Sequence, residues 1–243
     1  MAETIKTALV TGANKGIGRE IAGQLAGLGY RVWLGCRDIQ RAETTAREMR
    51  QTIGDVRVLR LDVADGDSVM HAAAALAAET RRLDVLVNNA GIALDAKLPP
   101  SAVDMALLKS TYEVNVFGPV RVTQAFLPLL RAAPAARIVM MSSGLGSLGR
   151  AADPTSPFYA TNLLAYNSSK TALNALTLAF AKEFGSTPIK INAASPGHVA
   201  TDLNGHAGPR TVAEGAAIAV RLATLGPDGP TGGFFNDDGP EPW

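Results

Sequence analysis

Cysteine is nearly absent from the sequence: Cys36 is the single one. An internal disulfide or a multi-cysteine zinc site is thereby excluded, and a reducing, cytoplasmic setting is the expectation. Long hydrophobic runs are missing too, with none approaching membrane-spanning length. The opening residues Met1-Ala2-Glu3-Thr4-Ile5-Lys6 carry no basic stretch leading into an apolar core. The first apolar stretch, Ala8-Leu9-Val10, stops at Thr11-Gly12. Neither a signal peptide nor a membrane partner is expected. No charge of one sign dominates: 23 lysines and arginines face 22 acids, a formal net charge of +1. The cations are scattered rather than striped, so no nucleic-acid partner is expected. Histidine is scarce, and His71, His198 and His206 lie too far apart in sequence to form a metal site by spacing. No metal is expected. The hydrolase elbow Gly-x-Ser-x-Gly does not occur.

What is present is material for one core. Hydrophobic residues make up 47% of the 243 residues and charged residues 19%, a balance that argues against disorder. Short β-rich runs alternate with longer amphipathic ones. Residues 8–11, 31–35, 56–61, 85–87, 137–141 and 189–193 read as strands, and Phe234-Phe235 as a short final one. Ile17, Ile21, Leu25 and Leu28 recur at helical spacing until Gly29 stops the helix. Further helices are expected over about 39–49, 68–79, 166–184 and 211–225. A long helical region over 103–130 has a joint at Gly118-Pro119, and 144–164 reads mainly as loop. Repeated strand-helix-strand units imply an α/β fold: one doubly wound, Rossmann-like domain over residues 1–243, its sheet mainly parallel and its helices on both faces.

Thr11-Gly12-Ala13-Asn14-Lys15-Gly16-Ile17-Gly18 falls between the first strand and the first helix, where a parallel sheet opens a dinucleotide crevice. Glycine permits a tight turn and close approach to a pyrophosphate, and the helix N-terminus offers unpaired N–H donors. The spacing is G-x-x-x-G-x-G rather than G-x-G-x-x-G. A strand-to-helix loop that needs glycine for φ > 0 is the competing reading of the same residues.

This glycine loop, Leu61-Asp62-Val63, Asn88-Asn89-Ala90-Gly91, Asn115, Ser143, Tyr166-x-x-x-Lys170 and Pro196-Gly197 follow one another in the order of the short-chain dehydrogenase/reductase family, which the sequence resembles from Thr11 to Gly197. The resemblance implies that Gly12, Asn14, Lys15, Gly16, Ile17 and Gly18 cradle a nicotinamide dinucleotide and that Asp62, beside Val63, bonds the adenine. Asn88, Asn89, Ala90 and Gly91 would border the cofactor after the fourth strand. Pro196, Gly197 and Val199 would border the nicotinamide, with Thr201 near its carboxamide or the phosphates; a turn after a strand is the alternative for Pro196-Gly197. Cys36 stands where NAD-selective relatives carry an acid. Arg37 next to it, with Lys15, would pair with a 2′-phosphate, so NADP(H) is the expected cofactor. If those two cations are ordinary solvated charges and Asp38 grips the ribose, NAD(H) remains open.

Tyr166 and Lys170, at i and i+4, share one helix face. A free tyrosine has a pKa of about 10, too high to shuttle a proton well at neutral pH. A nearby ammonium would favour the phenolate and lower it. In the family, this lysine also bonds the nicotinamide ribose. Ser143, after the fifth strand, would hold a substrate carbonyl; Ser142 is its rival. Asn115 would orient a proton-relaying water, or else serve as a local cap near the helix joint. The expected activity is NADPH-dependent reduction of a small ketone or aldehyde, with Tyr166 as proton donor. The alternatives are an NAD-dependent secondary-alcohol dehydrogenase and a non-catalytic dinucleotide-sensing module.

From Ser143 to Tyr166 the chain is longer than in most relatives. The stretch 149–165 therefore reads as an insertion ahead of the catalytic helix, similar to the carbonyl-reductase branch with its menthone and salutaridine reductases. Phe158, Tyr159 and Leu163 would make it an apolar substrate lid; a spacer is the alternative. Tyr159 lacks a lysine four residues on. A homo-oligomer and a monomer are both open.

Overall fold

The computed structural model of the protein describes residues 5–243; residues 1–4, part of the opening segment read above as lacking a signal, lie outside them. Seven strands form one sheet: β1 (Thr7–Thr11), β2 (Arg31–Cys36), β3 (Val56–Arg60), β4 (Val85–Asn88), β5 (Arg137–Met141), β6 (Lys190–Ala194) and β7 (Phe234–Phe235). Their order is β3-β2-β1-β4-β5-β6-β7, and every pairing is parallel. β1, β4 and β5 are buried along their whole length. That is why they read as continuous apolar runs rather than as an alternating pattern.

Helices cover both faces. α1 (Gly16–Gly27), α2 (Ile39–Thr52) and a C-terminal helix (Val212–Ala223) pack on one, where Ile21, Met49 and Ile218 join Val10, Leu34 and Val139. On the other lie α3 (Gly66–Glu79), α4 (Met105–Tyr112), α5 (Gly118–Ala132) and the catalytic-motif helix (Leu164–Glu183), where Leu76, Phe126 and Leu173 meet Leu9, Leu86 and Ile138. Counting the short helix α6 (Leu148–Ala152), the last two become α7 (Leu164–Glu183) and α8 (Val212–Ala223).

Two regions differ from the sequence reading. The joint at Gly118-Pro119 is present, but as a change of helix type the sequence did not specify: a π-helical turn, Glu113–Phe117, carries α4 into α5, which begins at Gly118. Gly118 supplies room, since a Cβ there would lie 3.1 Å from the Val63 side chain. Residues 144–164 are more ordered than a loop, holding a 3-10 turn (Gly144–Gly146) and α6. Five residues are too few for helical periodicity to show in the sequence. Among the described residues no helix is long and apolar enough to cross a membrane, and no cluster suited to a metal ion occurs.

Strand order reverses between β1 and β4. In an open parallel sheet, the crevice at the carboxyl ends of the strands on either side of such a point is where ligands bind.

Candidate active site

A cleft of about 650 Å³ opens there, running from Arg37, Asp38 and Arg41 past the glycine loop to Met141, Tyr166 and Lys170. Gly12 and Gly16 have φ of +65° and +56°, which L side chains rarely adopt. A Cβ on Gly18 would stand 2.4 Å from Asn89 Nδ2 and one on Gly12 3.0 Å from Ala90 Cα. The glycine loop is thus pressed against the Asn88-Asn89-Ala90-Gly91 segment. Asn89 N and Ala90 N both donate to Thr11 Oγ1 at 3.0 Å, and Asn89 Nδ2 donates to the Thr11 carbonyl at 2.8 Å. The first turn of α1 has no side-chain cap and no acid, so its N–H groups face the cleft without a competing acceptor. This cradle fits a pyrophosphate.

At the end of the cleft lined by Arg37 and Arg41, Asp38 is already engaged. Its carboxylate caps α2, accepting from Arg41 N at 3.1 Å, and pairs with the Arg41 side chain at 3.3 Å. Arg37 is exposed and has no hydrogen bond or ion pair among the described residues. Lys15 reaches across the cleft mouth to Asp202 at 2.5 Å, and His206 reaches the same carboxylate at 2.8 Å. Cys36 is buried against the N–H groups of Ala13 and Asn14, and burial pushes its thiol up to about 11. Asp62 lines the cleft while accepting from Ala64 N at 3.0 Å. Val63, Ile17, Asn14, Gly91, Pro196 and Thr201 line it as well. Gly197 and Val199 do not: Gly197 packs under Arg210, and Val199 against Gly215 of α8.

At the other end, α7 buries Tyr166 and Lys170. The Ser143 hydroxyl lies within hydrogen-bonding reach of the Tyr166 phenol. Ser142 faces the opposite way, donating to Asn174 Oδ1 at 2.6 Å, as alternation along an extended backbone requires. Lys170 Nζ donates to the Met141 carbonyl at 2.7 Å and sits 5.6 Å from the Tyr166 ring centroid. The expected lowering of the tyrosine pKa does not occur in this arrangement. Burial pushes the phenol up to about 12, against the hydrogen bond from Ser143. Burial also brings the Lys170 ammonium down to about 8.

Asn115 sits in the π turn and is fully buried. Its side chain clamps Ile92, accepting from Ile92 N at 2.9 Å and donating to Ile92 O at 2.8 Å, and also donates to Ser169 at 3.0 Å. Gly91 leaves the gap between Asn115 Oδ1 and Lys170 Nζ, which a Cβ would approach to 3.4 and 3.5 Å.

The sequence reading passed over Asp95. It is fully buried, and its Oδ2 accepts from Ala165 N at 2.7 Å, at the first turn of α7. The α7 N-cap residue, Leu163, has no side chain that can cap. That apolar N-cap was the sequence's one hint that a partner from elsewhere is needed.

The geometry defines a dinucleotide cleft ending at a buried tyrosine–lysine pair, the arrangement of an NAD(P)-dependent oxidoreductase. Residues 6–211 match the short chain dehydrogenase family, and the chain belongs to it. Short-chain dehydrogenase anuI of Penicillium roqueforti is 36% identical over 224 residues, covering 90% of this chain and 88% of that one. The (-)-isopiperitenone reductase of Mentha piperita is 33% identical over 310 aligned residues, covering 98% of each. That span exceeds the 243 residues here, so the relative holds segments with no counterpart in this chain. The crystal structure of NADPH-bound carbonyl reductase from chicken fatty liver superposes with a TM-score of 0.86 at 29% identity, covering 98% of this chain and 99% of that one.

Proposed function

We propose that the protein is an NADPH-dependent carbonyl reductase acting on a small ketone or aldehyde. The observation that carries this reading is the buried Tyr166–Lys170 pair on one face of α7, at the end of a cleft whose far end carries an exposed, unpaired Arg37. Gly12, Asn14, Gly16, Ile17 and Gly18 would hold the pyrophosphate, Asp62 and Val63 the adenine end, and Asn89, Ala90, Gly91, Pro196 and Thr201 the nicotinamide half. Gly197 and Val199 would act through the backbone turn rather than by touching the cofactor. When bound, the reduced nicotinamide supplies a hydride.

Ser143 donates a hydrogen bond to the substrate carbonyl oxygen and stabilises charge as it develops there. Tyr166 gives its phenolic proton to that oxygen, completing the alcohol. The Lys170 ammonium stabilises the phenolate left behind, gives it a proton to restore the phenol and takes one in turn from solvent, with Asn115 holding the Ile92 backbone beside it.

NADP preference is supported by Arg37, which neither nearby carboxylate engages. Asp38 is committed to α2 and Arg41, and Asp202 to Lys15. A 2′-phosphate finds Arg37 available and draws Lys15 from an exposed pair worth little. An NADPH-linked role also suits the reducing cytoplasm that a lone, buried Cys36 favours.

The test is NADPH oxidation against a panel of ketones, aldehydes and quinones, repeated with Tyr166→Phe. Turnover should fall by at least about a hundred-fold while NADPH still binds. Near-wild-type turnover in the variant, or faster use of NADH by the native protein, would overturn the reading.

A further inference from the structure

The segment after β7 doubles back on the sheet. Gly239 has φ +139°, Glu241 N donates to the Phe234 carbonyl at 2.7 Å, and Phe235 pairs antiparallel with Pro240. Trp243 then stacks on Phe234, with centroids 5.6 Å apart and planes at 26°. This path brings 239–243 against the start of the insertion. Gly149 N donates to the Trp243 main-chain oxygen at 3.0 Å, and Ser147 Oγ donates to it at 3.4 Å. Glu241, its side chain 2% exposed, forms an ion pair with Arg150 of α6.

Arg150 continues the chain of contacts. Its guanidinium lies 5.1 Å from the Phe158 ring centroid. Phe158 in turn rests on Gly144, where a Cβ would meet the ring tip at 2.8 Å. Gly144 follows Ser143, the residue placed at the substrate carbonyl. An unbroken set of contacts therefore runs from Trp243 through Glu241, Arg150 and Phe158 to the turn that carries the Ser143 hydroxyl.

A carboxylate so deeply buried costs stability unless it is paired. A strap needing only stability would do as well with an apolar side chain there. What the pair adds is placement: the buried charge keeps the guanidinium beside Glu241, and there it lies against one aromatic ring.

We propose that 239–243 is a strap that sets substrate preference, with Glu241 and Arg150 as positioning residues. They hold Phe158 as the wall against which a bulky, ring-bearing substituent of the carbonyl compound packs. The substrate class rests on the carbonyl-reductase reading above; the strap itself does not.

Glu241→Gln is the informative variant, because Arg150, 28% exposed along its side chain, tolerates the loss of its partner. The reverse change would strand a buried carboxylate. In Glu241→Gln, KM for an aryl or bicyclic ketone should rise roughly ten-fold relative to KM for a ketone of acetone size, with NADPH affinity unchanged. Phe158→Ala should lose the same size preference. The double variant should be no worse than Phe158→Ala alone, since both changes remove one contact.

Independently of turnover, amide hydrogen exchange at Gly149 and through 144–160 should quicken in Glu241→Gln. Unchanged exchange there, or additive effects in the double variant, would overturn the proposal. Failure of the native protein to reduce any ketone with NADPH would sink the carbonyl-reductase reading, and the exchange measurement would still decide the strap.

Discussion

At the scale of single residues, Tyr166 and Lys170 are moved in opposite directions by the same cause. Burial disfavours whichever form is charged, so the phenol climbs to about 12 and the ammonium descends to about 8. Proton donation needs neutral Tyr166, which persists across the working pH range. It also needs charged Lys170, to stabilise the phenolate that donation leaves. Lys170 is protonated below about 8 and neutral above. Reduction should therefore lose rate as pH rises through about 8, measured as kcat/KM for NADPH, which reports the free enzyme. In Lys170→Met that limb should vanish and turnover stay low at every pH. A native limb lying above pH 10 would remove Lys170 from the explanation. The motif residues themselves were legible in the sequence, because their types and spacing survive without coordinates. The direction of the tyrosine shift was not, because it depends on how deep the ring lies and on Lys170 donating to Met141 rather than to the phenol.

At the scale of elements, the helices that matter were visible by periodicity. Thr211 and Glu214 form the capping box of α8, and Asp65 caps α3, each within a few residues of the helix it starts. The start of α7 was legible to within two residues, but its cap was not: it comes from Asp95, seventy positions earlier. Spacing rules read only local partners. The short α6 and the π turn escaped for want of length. Asp95 also ties the cleft wall at Leu94 to two successive backbone N–H groups of α7, Ala165 N closely and that of Tyr166 itself at 3.5 Å. Asp95→Ala should lower stability by about 1 kcal/mol, the usual cost of a lost cap, and reduce kcat several-fold with NADPH affinity unchanged. Asp95→Asn keeps an acceptor and should restore most of both. Denaturant titration and steady-state kinetics of the pair check this. If Asn behaves like Ala, the hydrogen bond is not what Asp95 contributes.

At the scale of the whole molecule, the cleft is walled by three separate parts of the chain. The glycine loop and α1 form one wall. The 201–203 segment, tied by Lys15 to Asp202 across the mouth, forms another, and the β5–α7 region closes the end. A ligand spanning all three adds its binding free energy to the folded state and none to the unfolded chain. At a hundred times its Kd this amounts to about 2.7 kcal/mol. For a chain of this size each kcal/mol raises Tm by roughly 2–4 °C, so NADPH should raise Tm by roughly 5–10 °C. NADH at the same concentration lacks the 2′-phosphate that Arg37 would pair with, sits further below saturation, and should give a smaller shift. Arg37→Asp replaces attraction by repulsion at that one group. It should therefore erase the difference between the two cofactors while leaving the NADH shift nearly as it was. Differential scanning calorimetry of both proteins with each cofactor measures all four shifts. Equal shifts for NADPH and NADH in the native protein would show that Arg37 does not read the 2′-phosphate, and with that the NADP preference would fall.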